Sequence, residues 1–86
     1  MIDVSKIKES ISCVDFARKN NLPIVKSGDR CVSPLRSGAR NKTSFIVYDD
    51  HFYDFGSGIG GDVIDFAALL LYNGDKGRAI RELAKS

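Results

Sequence analysis

The chain has 86 residues, of which 43% are hydrophobic and 28% charged, and its formal net charge is +2. This length allows one domain over residues 1–86, and the composition is typical of a globular protein rather than a disordered tail. No apolar run approaches the roughly 20 residues that span a membrane. No basic segment followed by an apolar stretch marks a secretory signal, so we expect a cytoplasmic protein with no membrane partner.

The first third of the sequence predicts two helices and the start of a strand. Apolar residues recur at helical spacing from Ile7 onwards, and Ser5 is the expected N-cap of the first helix. Ser12 is the expected cap of a second, short helix, which should end near residues 20–21, before a proline. The β-branched pair at 24–25 then predicts the beginning of a short strand.

The middle of the sequence predicts antiparallel strands. Residues 30–33 follow a Ser-Gly-Asp turn signal, and residues 44–48 are rich in β-branched and aromatic side chains. A tight turn at 49–50 should lead into a third strand, 51–55, which pairs back on the second. Residues 56–61 are expected to form a glycine-rich loop.

The last third predicts two helices. Residues 62–72 are apolar at nine of eleven positions, which indicates a central core helix or, alternatively, a partner-facing surface. The core interpretation is the favoured one. Asn73-Gly74 ends this helix, and Asp75 is the expected cap of the next. The predicted fold class is therefore α+β, a small antiparallel sheet flanked by N-terminal and C-terminal helices.

Three glycines match the dinucleotide-binding fingerprint between a strand and a helix, at Gly56, Gly58 and Gly61. The parallel βαβ unit that the fingerprint needs is absent, and Asp62 would place a negative charge where the pyrophosphate should lie. We therefore interpret the glycines as a tight connection, and we expect no cofactor.

Residues that could carry catalysis or metal binding are sparse. His51 and the aspartates beside it suggest a small metal-dependent nuclease, but His51 and Asp54 would face opposite sides of a regular strand. A solvated turn is the better interpretation, and no catalytic residue is assigned. Cys13 and Cys31 have no second cysteine close by, so we expect buried free thiols rather than a zinc knuckle.

Positive charge is concentrated in the middle of the chain, where five basic residues between Lys26 and Tyr48 stand against one acidic residue. Basic groups hold phosphates, and aromatic faces stack unpaired bases. The alternative is a solvated basic face over an aromatic core. The residues that we expect to contact nucleic acid are Arg30, Arg36, Arg40, Lys42, Tyr48 and Tyr53.

Taken in chain order, five segments resemble the zinc-binding domain of DnaG-type bacterial primases. They are Ser33-Pro34-Leu35-Arg36, Lys42-Thr43-Ser44-Phe45, the aromatic strand and turn 52–58, the segment 60–66 with Asp62-Val63-Ile64-Asp65-Phe66, and the last helix at 78–84. The resemblance covers nearly the whole chain, and its most specific part is 52–66. It implies a sheet of zinc-ribbon type.

The chain departs from this family at the four positions where the family carries zinc ligands. These positions hold Ser33, Arg36, Asp54 and Ser57. A serine hydroxyl is a poor zinc ligand and arginine stays protonated, so we expect no zinc. If the fold still brings the four positions together, Arg36 and Asp54 should form an ion pair flanked by the serine hydroxyls.

The resemblance implies a domain that holds single-stranded DNA template beside a separate catalytic domain. The expected function is a non-catalytic accessory subunit in DNA replication, which binds single-stranded DNA and docks on a primase or DNA polymerase catalytic subunit. The alternative is a pure protein-docking module without DNA binding, in which the helix 62–72 contacts the partner through Leu69 and Tyr72. Salt dependence of binding would separate the two, since phosphate contacts weaken steeply with salt.

Overall fold

The structure is a computed structural model that describes residues 2–85, with four helices and one four-stranded antiparallel sheet, which confirms the predicted α+β class. The helices are α1 (Val4–Ser10), α2 (Cys13–Lys19), α3 (Val63–Leu71) and α4 (Lys76–Ala84). The strands are β1 (Asp29–Cys31), β2 (Phe45–Val47), β3 (Phe52–Asp54) and β4 (Ile59–Gly61), and their order in the sheet follows the chain.

The first helix begins two residues earlier than the sequence predicts. Asp3 is its N-cap, because the Asp3 carboxylate accepts a hydrogen bond from the Lys6 amide at 3.3 Å, so the expected cap at Ser5 was wrong. Aspartate and serine cap helices equally well, and helical spacing alone does not separate two candidates this close. The predicted cap of α2 is confirmed: Ser12 Oγ accepts from the Asp15 amide at 2.9 Å.

The pair at 24–25 forms no strand. Ile24 is buried in the core while Val25 is exposed, and the Val25 amide donates to the side chain of Asp29 at 2.9 Å. A side-chain acceptor therefore satisfies the amide that a neighbouring strand would otherwise have bonded. The chain then turns through Gly28, whose φ of +95° suits glycine, and enters β1.

The glycine-rich segment forms a strand as well as a turn. Residues 56–58 make the turn, but Ile59–Gly61 pairs with β3, with Gly60 opposite Tyr53 and Gly61 opposite Phe52. The expectation of a loop over 56–61 was therefore wrong for its second half. Glycine weakens a strand by its entropy, but it leaves room where another side chain lies close to the backbone.

One hydrophobic core lies between the sheet and the helices. Phe66 of α3 packs against Phe16, Phe45 and Phe52, with ring centroids 4.9 to 5.5 Å apart. Burying each such side chain contributes roughly 1.5–3 kcal/mol to folding. The core interpretation of the helix 62–72 is confirmed for most of α3, whose buried residues are Val63, Ile64, Phe66, Ala67 and Ala68.

Both cysteines are buried free thiols, as predicted. Burial, with the charge of nearby Asp62 added, raises the pKa of the Cys13 thiol to about 12, and burial also raises the pKa of Cys31. Thiols that stay protonated are poor nucleophiles and poor metal ligands, so both cysteines serve packing. Among residues 2–85, no helix is long and apolar enough to cross a membrane.

Candidate nucleic-acid interface

Three side chains and one backbone amide converge on the carboxylate of Asp54, and two of these side chains come from a distant part of the sequence. Asp54 Oδ2 accepts hydrogen bonds from Ser33 Oγ at 2.8 Å, Arg36 Nε at 3.0 Å and Ser57 Oγ at 3.1 Å. Asp54 Oδ1 accepts from the amide of Gly56 at 3.0 Å. The predicted ion pair between Arg36 and Asp54, flanked by two serine hydroxyls, is present.

Strand alternation explains why an aspartate is buried here. Asp54 shares the inward face of β3 with Phe52, so its side chain is turned away from solvent and is fully buried. Burial alone would raise the pKa of the Asp54 carboxyl. The hydrogen bonds from Arg36, Ser33, Gly56 and Ser57 outweigh burial and hold that pKa below its ordinary value. The group is therefore a buried carboxylate anion with its charge fully compensated.

The donor set around Asp54 does not fit a zinc ion. Zinc in structural sites takes thiolates and imidazoles, whereas these positions supply two hydroxyls, a guanidinium and one carboxylate. The carboxylate already accepts four hydrogen bonds, and Arg36 brings a positive charge to the place that a cation would occupy. No cluster of three or more metal-ligating side chains occurs within residues 2–85.

The Asp54 cluster joins two loops at one end of the sheet. Ser33 and Arg36 belong to the long connection between β1 and β2, while Ser57 belongs to the β3–β4 turn. The Arg36 guanidinium lies directly on Gly56, where any added Cβ would collide with it. Hydrogen bonds and close packing therefore hold the basic connection against the turn.

The solvent-facing side of the sheet carries a row of residues in direct cross-strand register. Arg30 lies opposite Ile46, Ile46 opposite Tyr53, and Tyr53 opposite Gly60. Tyr53 is 37% exposed and its ring lies against the edge strand, where a Cβ on Gly60 would approach Tyr53 Cδ1 to 2.7 Å. The structure thus brings Arg30 and Tyr53, two of the predicted contact residues, onto one face.

Phe55 extends this row and was missed by the sequence analysis. Its ring makes an edge contact with Tyr53 at 4.9 Å, lies 5.1 Å beneath the Arg30 guanidinium, and is 55% exposed. Alternation from the buried Phe52 could have placed Tyr53 and Phe55 on the opposite, solvent-facing side. We call Arg30, Tyr53 and Phe55 the aromatic–arginine row.

A groove of about 450 Å³ opens beside the aromatic–arginine row. Its lining includes Arg30 and Phe55 of the row, together with Arg36, Asn41, Thr43, Ser44 and Gly56. Arg36 uses its Nε for Asp54, and its two terminal nitrogens have no hydrogen-bond partner within residues 2–85. Arg36 therefore serves the buried cluster and the groove with different nitrogens of one guanidinium.

The other predicted contact residues lie around this centre. Arg40 and Lys42 are exposed on the connection that borders the groove, and neither forms an ion pair in the described part of the chain. Tyr48 lies farther away, at the β2–β3 turn, where its half-buried ring stacks on His51 at 4.4 Å. Tyr48 is therefore outside the groove.

His51 and its neighbouring aspartates form a surface turn. The Tyr48 amide donates to the His51 carbonyl at 2.8 Å, and His51 Nδ1 contacts Asp50 Oδ1 on exposed side chains. His51 precedes β3 rather than lying within it, and Asp54 is committed to its own cluster. The geometry gives no support to a nuclease site at this turn.

The two residues expected to contact a protein partner lie at the far end of α3. Leu69 is 37% exposed, but Tyr72 packs against the core and its ring is covered by the Arg78 guanidinium at 5.0 Å. Leu71, which the sequence analysis did not single out, is 48% exposed. These residues are on a helix, whereas the groove lies on the sheet.

No protein-family model, curated protein or solved structure matches this chain. The resemblance to primase zinc-binding domains therefore stays a hypothesis that rests on the motifs themselves.

Proposed function

We propose that this chain is a non-catalytic accessory module that binds single-stranded DNA through the solvent-facing side of its sheet. In this proposal it acts in the cytoplasm during DNA replication and docks on a primase or DNA polymerase catalytic subunit. The observation that carries the proposal is the aromatic–arginine row, in which exposed Tyr53 and Phe55 rings lie beside Arg30. The family resemblance supplies the replication context.

Charge around the row favours a polyanionic ligand. Arg36 lines the groove, Arg40 and Lys42 are exposed on the same connection, and no acidic residue occurs between Cys31 and Tyr48. Asp54, which pairs with Arg36, is buried and fully hydrogen-bonded, so it presents no negative charge to solvent. Phosphates approaching this face therefore meet arginine and lysine side chains without a competing acid.

Exposed aromatic rings favour a single strand over a duplex. Rings such as Tyr53 and Phe55 bind nucleic acid by stacking on bases, and bases are available for stacking only when they are unpaired. Alanine substitution of such stacking residues typically costs about 1–3 kcal/mol of binding per base. The connection that carries Arg40 and Lys42 is irregular, so it offers no helix to enter a major groove.

The alternative function is a protein-docking module without DNA binding. The observation that favours it is the exposure of Leu69 and Leu71 on the last turn of α3. Apolar contacts of this kind change little with salt, whereas phosphate contacts weaken as salt is added.

The test is fluorescence anisotropy of the full chain with a labelled single-stranded oligonucleotide over a salt series. A variant with Arg40→Ala and Lys42→Ala should bind more weakly, and its log–log salt slope should be shallower by about 1.4, because each lost phosphate contact on a single strand removes about 0.7. The matched control is Lys6→Ala with Lys19→Ala, which removes two charges from α1 and α2. Absence of binding at low salt, or an equal effect of both double variants, would contradict the proposal.

A further inference from the structure

The groove beside the aromatic–arginine row has an unusual balance of polar groups. The guanidinium groups of Arg30 and Arg36 can only donate hydrogen bonds. The Arg30 guanidinium donates to the Thr43 carbonyl at 3.3 Å, which uses one of its five N–H groups. Arg36 donates to Asp54 through Nε alone. Most donors of both groups therefore remain available to a ligand.

Asn41 adds a further donor because its oxygen is already used. Asn41 Oδ1 accepts from the Thr43 amide at 2.9 Å and from Thr43 Oγ1 at 2.8 Å. These two donors fix the orientation of the side-chain amide, since only the oxygen can accept them. What Asn41 can offer a ligand is its Nδ2 amino group. The Thr43 hydroxyl keeps its lone pairs, but it is a neutral acceptor beside two guanidinium groups.

We infer that this groove is a base-selective subsite, which binds one nucleotide whose base carries a carbonyl oxygen at position 4, as thymine does, and that Asn41 is its specificity-determining residue. The inference rests on the proposed single-stranded DNA binding. The volume of about 450 Å³ falls within the range of about 300–1,000 Å³ found for small-ligand sites. Arg30 covers one face of the exposed Phe55 ring, so the opposite face is the one that can stack on the base, and Arg36 and Arg30 supply donors for a phosphate.

Hydrogen-bond chemistry predicts which bases the groove discriminates. Thymine carries a carbonyl oxygen at position 4, which accepts from Asn41 Nδ2, whereas cytosine carries an amino group there and would place donor against donor. When cytosine occupies the groove, Asn41 Nδ2 loses its hydrogen bond to the base. The free energy of removing this donor from water is then not compensated, so binding is weaker. Thymine and cytosine have the same ring size and stack similarly, so the comparison isolates the edge of the base.

Asn41→Asp tests the role of the Asn41 amino group, because it should change this group without disturbing the loop. An aspartate keeps the oxygen that accepts from the Thr43 amide and hydroxyl, so the turn should be preserved, while the donor becomes an acceptor. Ser37→Asp is the matched control, because it adds the same charge to the same connection at an exposed residue that does not line the groove. Circular dichroism and thermal unfolding check that both variants are folded.

The experiment measures the affinity of the full chain for oligothymidylate, oligodeoxyuridylate and oligodeoxycytidylate of about 12 nucleotides at fixed salt. Thymidylate and deoxyuridylate should bind alike and about fivefold more tightly than deoxycytidylate, as expected for one net hydrogen bond. Asn41→Asp should abolish or reverse this ratio, and Ser37→Asp should leave it unchanged.

Four results would overturn the inference, and they have different consequences. Equal, salt-sensitive binding of all three oligonucleotides would reject the base-selective subsite and leave the proposed function standing. Tighter binding of thymidylate alone would show that the methyl group, and not the carbonyl, is recognised. A ratio unchanged in Asn41→Asp would reject the role of Asn41. Absence of binding to any oligonucleotide would reject the proposed function as well.

Discussion

The buried carboxylate of Asp54 accepts four hydrogen bonds, and their donors belong to two separate loops. The Asp54 carboxylate is fully buried but the Arg36 side chain is 35% exposed, so solvent screens the pair and its net contribution to stability is small. The main effect of this cluster is therefore to fix the positions of the residues around it, and its net contribution to the free energy of folding is small. It holds Arg36 in place, and through Arg36 it holds the connection that borders the groove.

Acid should weaken the fold through Asp54. Its pKa in the folded state lies below the ordinary value of about 3.9, so the charged group adds stability above that pH and this contribution is lost as the pH falls through the lower, folded-state value. Urea unfolding between about pH 5 and pH 2 should show this loss. Asp54→Asn should be less stable near neutral pH and should depend less on pH in the acid range.

The matched control for the charge change is Glu9→Gln, on an exposed position of α1. Its acid profile should follow that of the unmodified chain. If Asp54→Asn gave the same parallel profile, the buried carboxylate would not be a source of the acid sensitivity.

The geometry of the four converging positions predicts that a zinc site can be restored. Ser33→Cys, Arg36→His, Asp54→Cys and Ser57→Cys together would place four good ligands where three side chains now meet one carboxylate oxygen. This variant should bind one zinc ion per chain and unfold at lower temperature when a chelator is added. Mass spectrometry under native conditions gives the stoichiometry. A folded variant that takes up no zinc would argue against the family resemblance.

At the scale of elements, β4 and the Tyr53 ring depend on each other. A Cβ on Gly60 would lie 2.7 Å from Tyr53 Cδ1 and 2.8 Å from the Phe52 carbonyl oxygen, and the latter belongs to the backbone and cannot simply move aside. Gly60→Ala should therefore lower the stability of the chain and displace Tyr53 from the aromatic–arginine row, which would also weaken DNA binding.

Gly77→Ala is the control for this substitution. Gly77 lies in α4, where an added Cβ would meet its nearest neighbours at 3.4 and 3.5 Å, and alanine favours a helix over glycine by up to about 1 kcal/mol. Urea unfolding should show Gly77→Ala to be as stable as the unmodified chain or more stable. Equal destabilisation by both substitutions would contradict the specific role of Gly60.

The elements that could be predicted from the sequence are those with one dominant local signal. The apolar run of α3, the cap at Ser12 and the two-residue turn before His51 each had such a signal and are observed. The strand at Ile59–Gly61 could not be predicted, because a strand of two glycines and one isoleucine forms by pairing with β3 and has little preference of its own.

The charged residues of the candidate site could be predicted from the sequence, but Phe55 and Asn41 of the groove were not. Arg30, Arg36 and the Asp54 pair follow from residue types and motif order. Phe55 and Asn41 depend on strand register and on a local turn, and nothing in their residue types distinguishes them from ordinary loop residues. Alternation along β3 could have placed Phe55 on the solvent-facing side, but its contact with Arg30 and the hydrogen bonds of Asn41 are evident only in the structure.

At the scale of the whole molecule, the two faces of the sheet have different roles. The sheet has its inward face on the helices and the phenylalanine core, and its outward face carries the aromatic–arginine row. Charge is divided as well: residues 49–86 contain seven acidic and four basic residues, whereas 26–48 are predominantly basic. A polyanion should therefore approach the basic connection and the outward face rather than the helices.

The measurement that tests this account most directly is an NMR titration of the uniformly ¹⁵N-labelled chain with oligothymidylate. The account predicts that the largest amide shift changes occur at Arg30, Asn41 and Tyr53–Phe55, with little change in α1 or at Leu69 and Leu71. Changes centred on Leu69 and Leu71, or no change at low salt, would contradict DNA binding by the sheet.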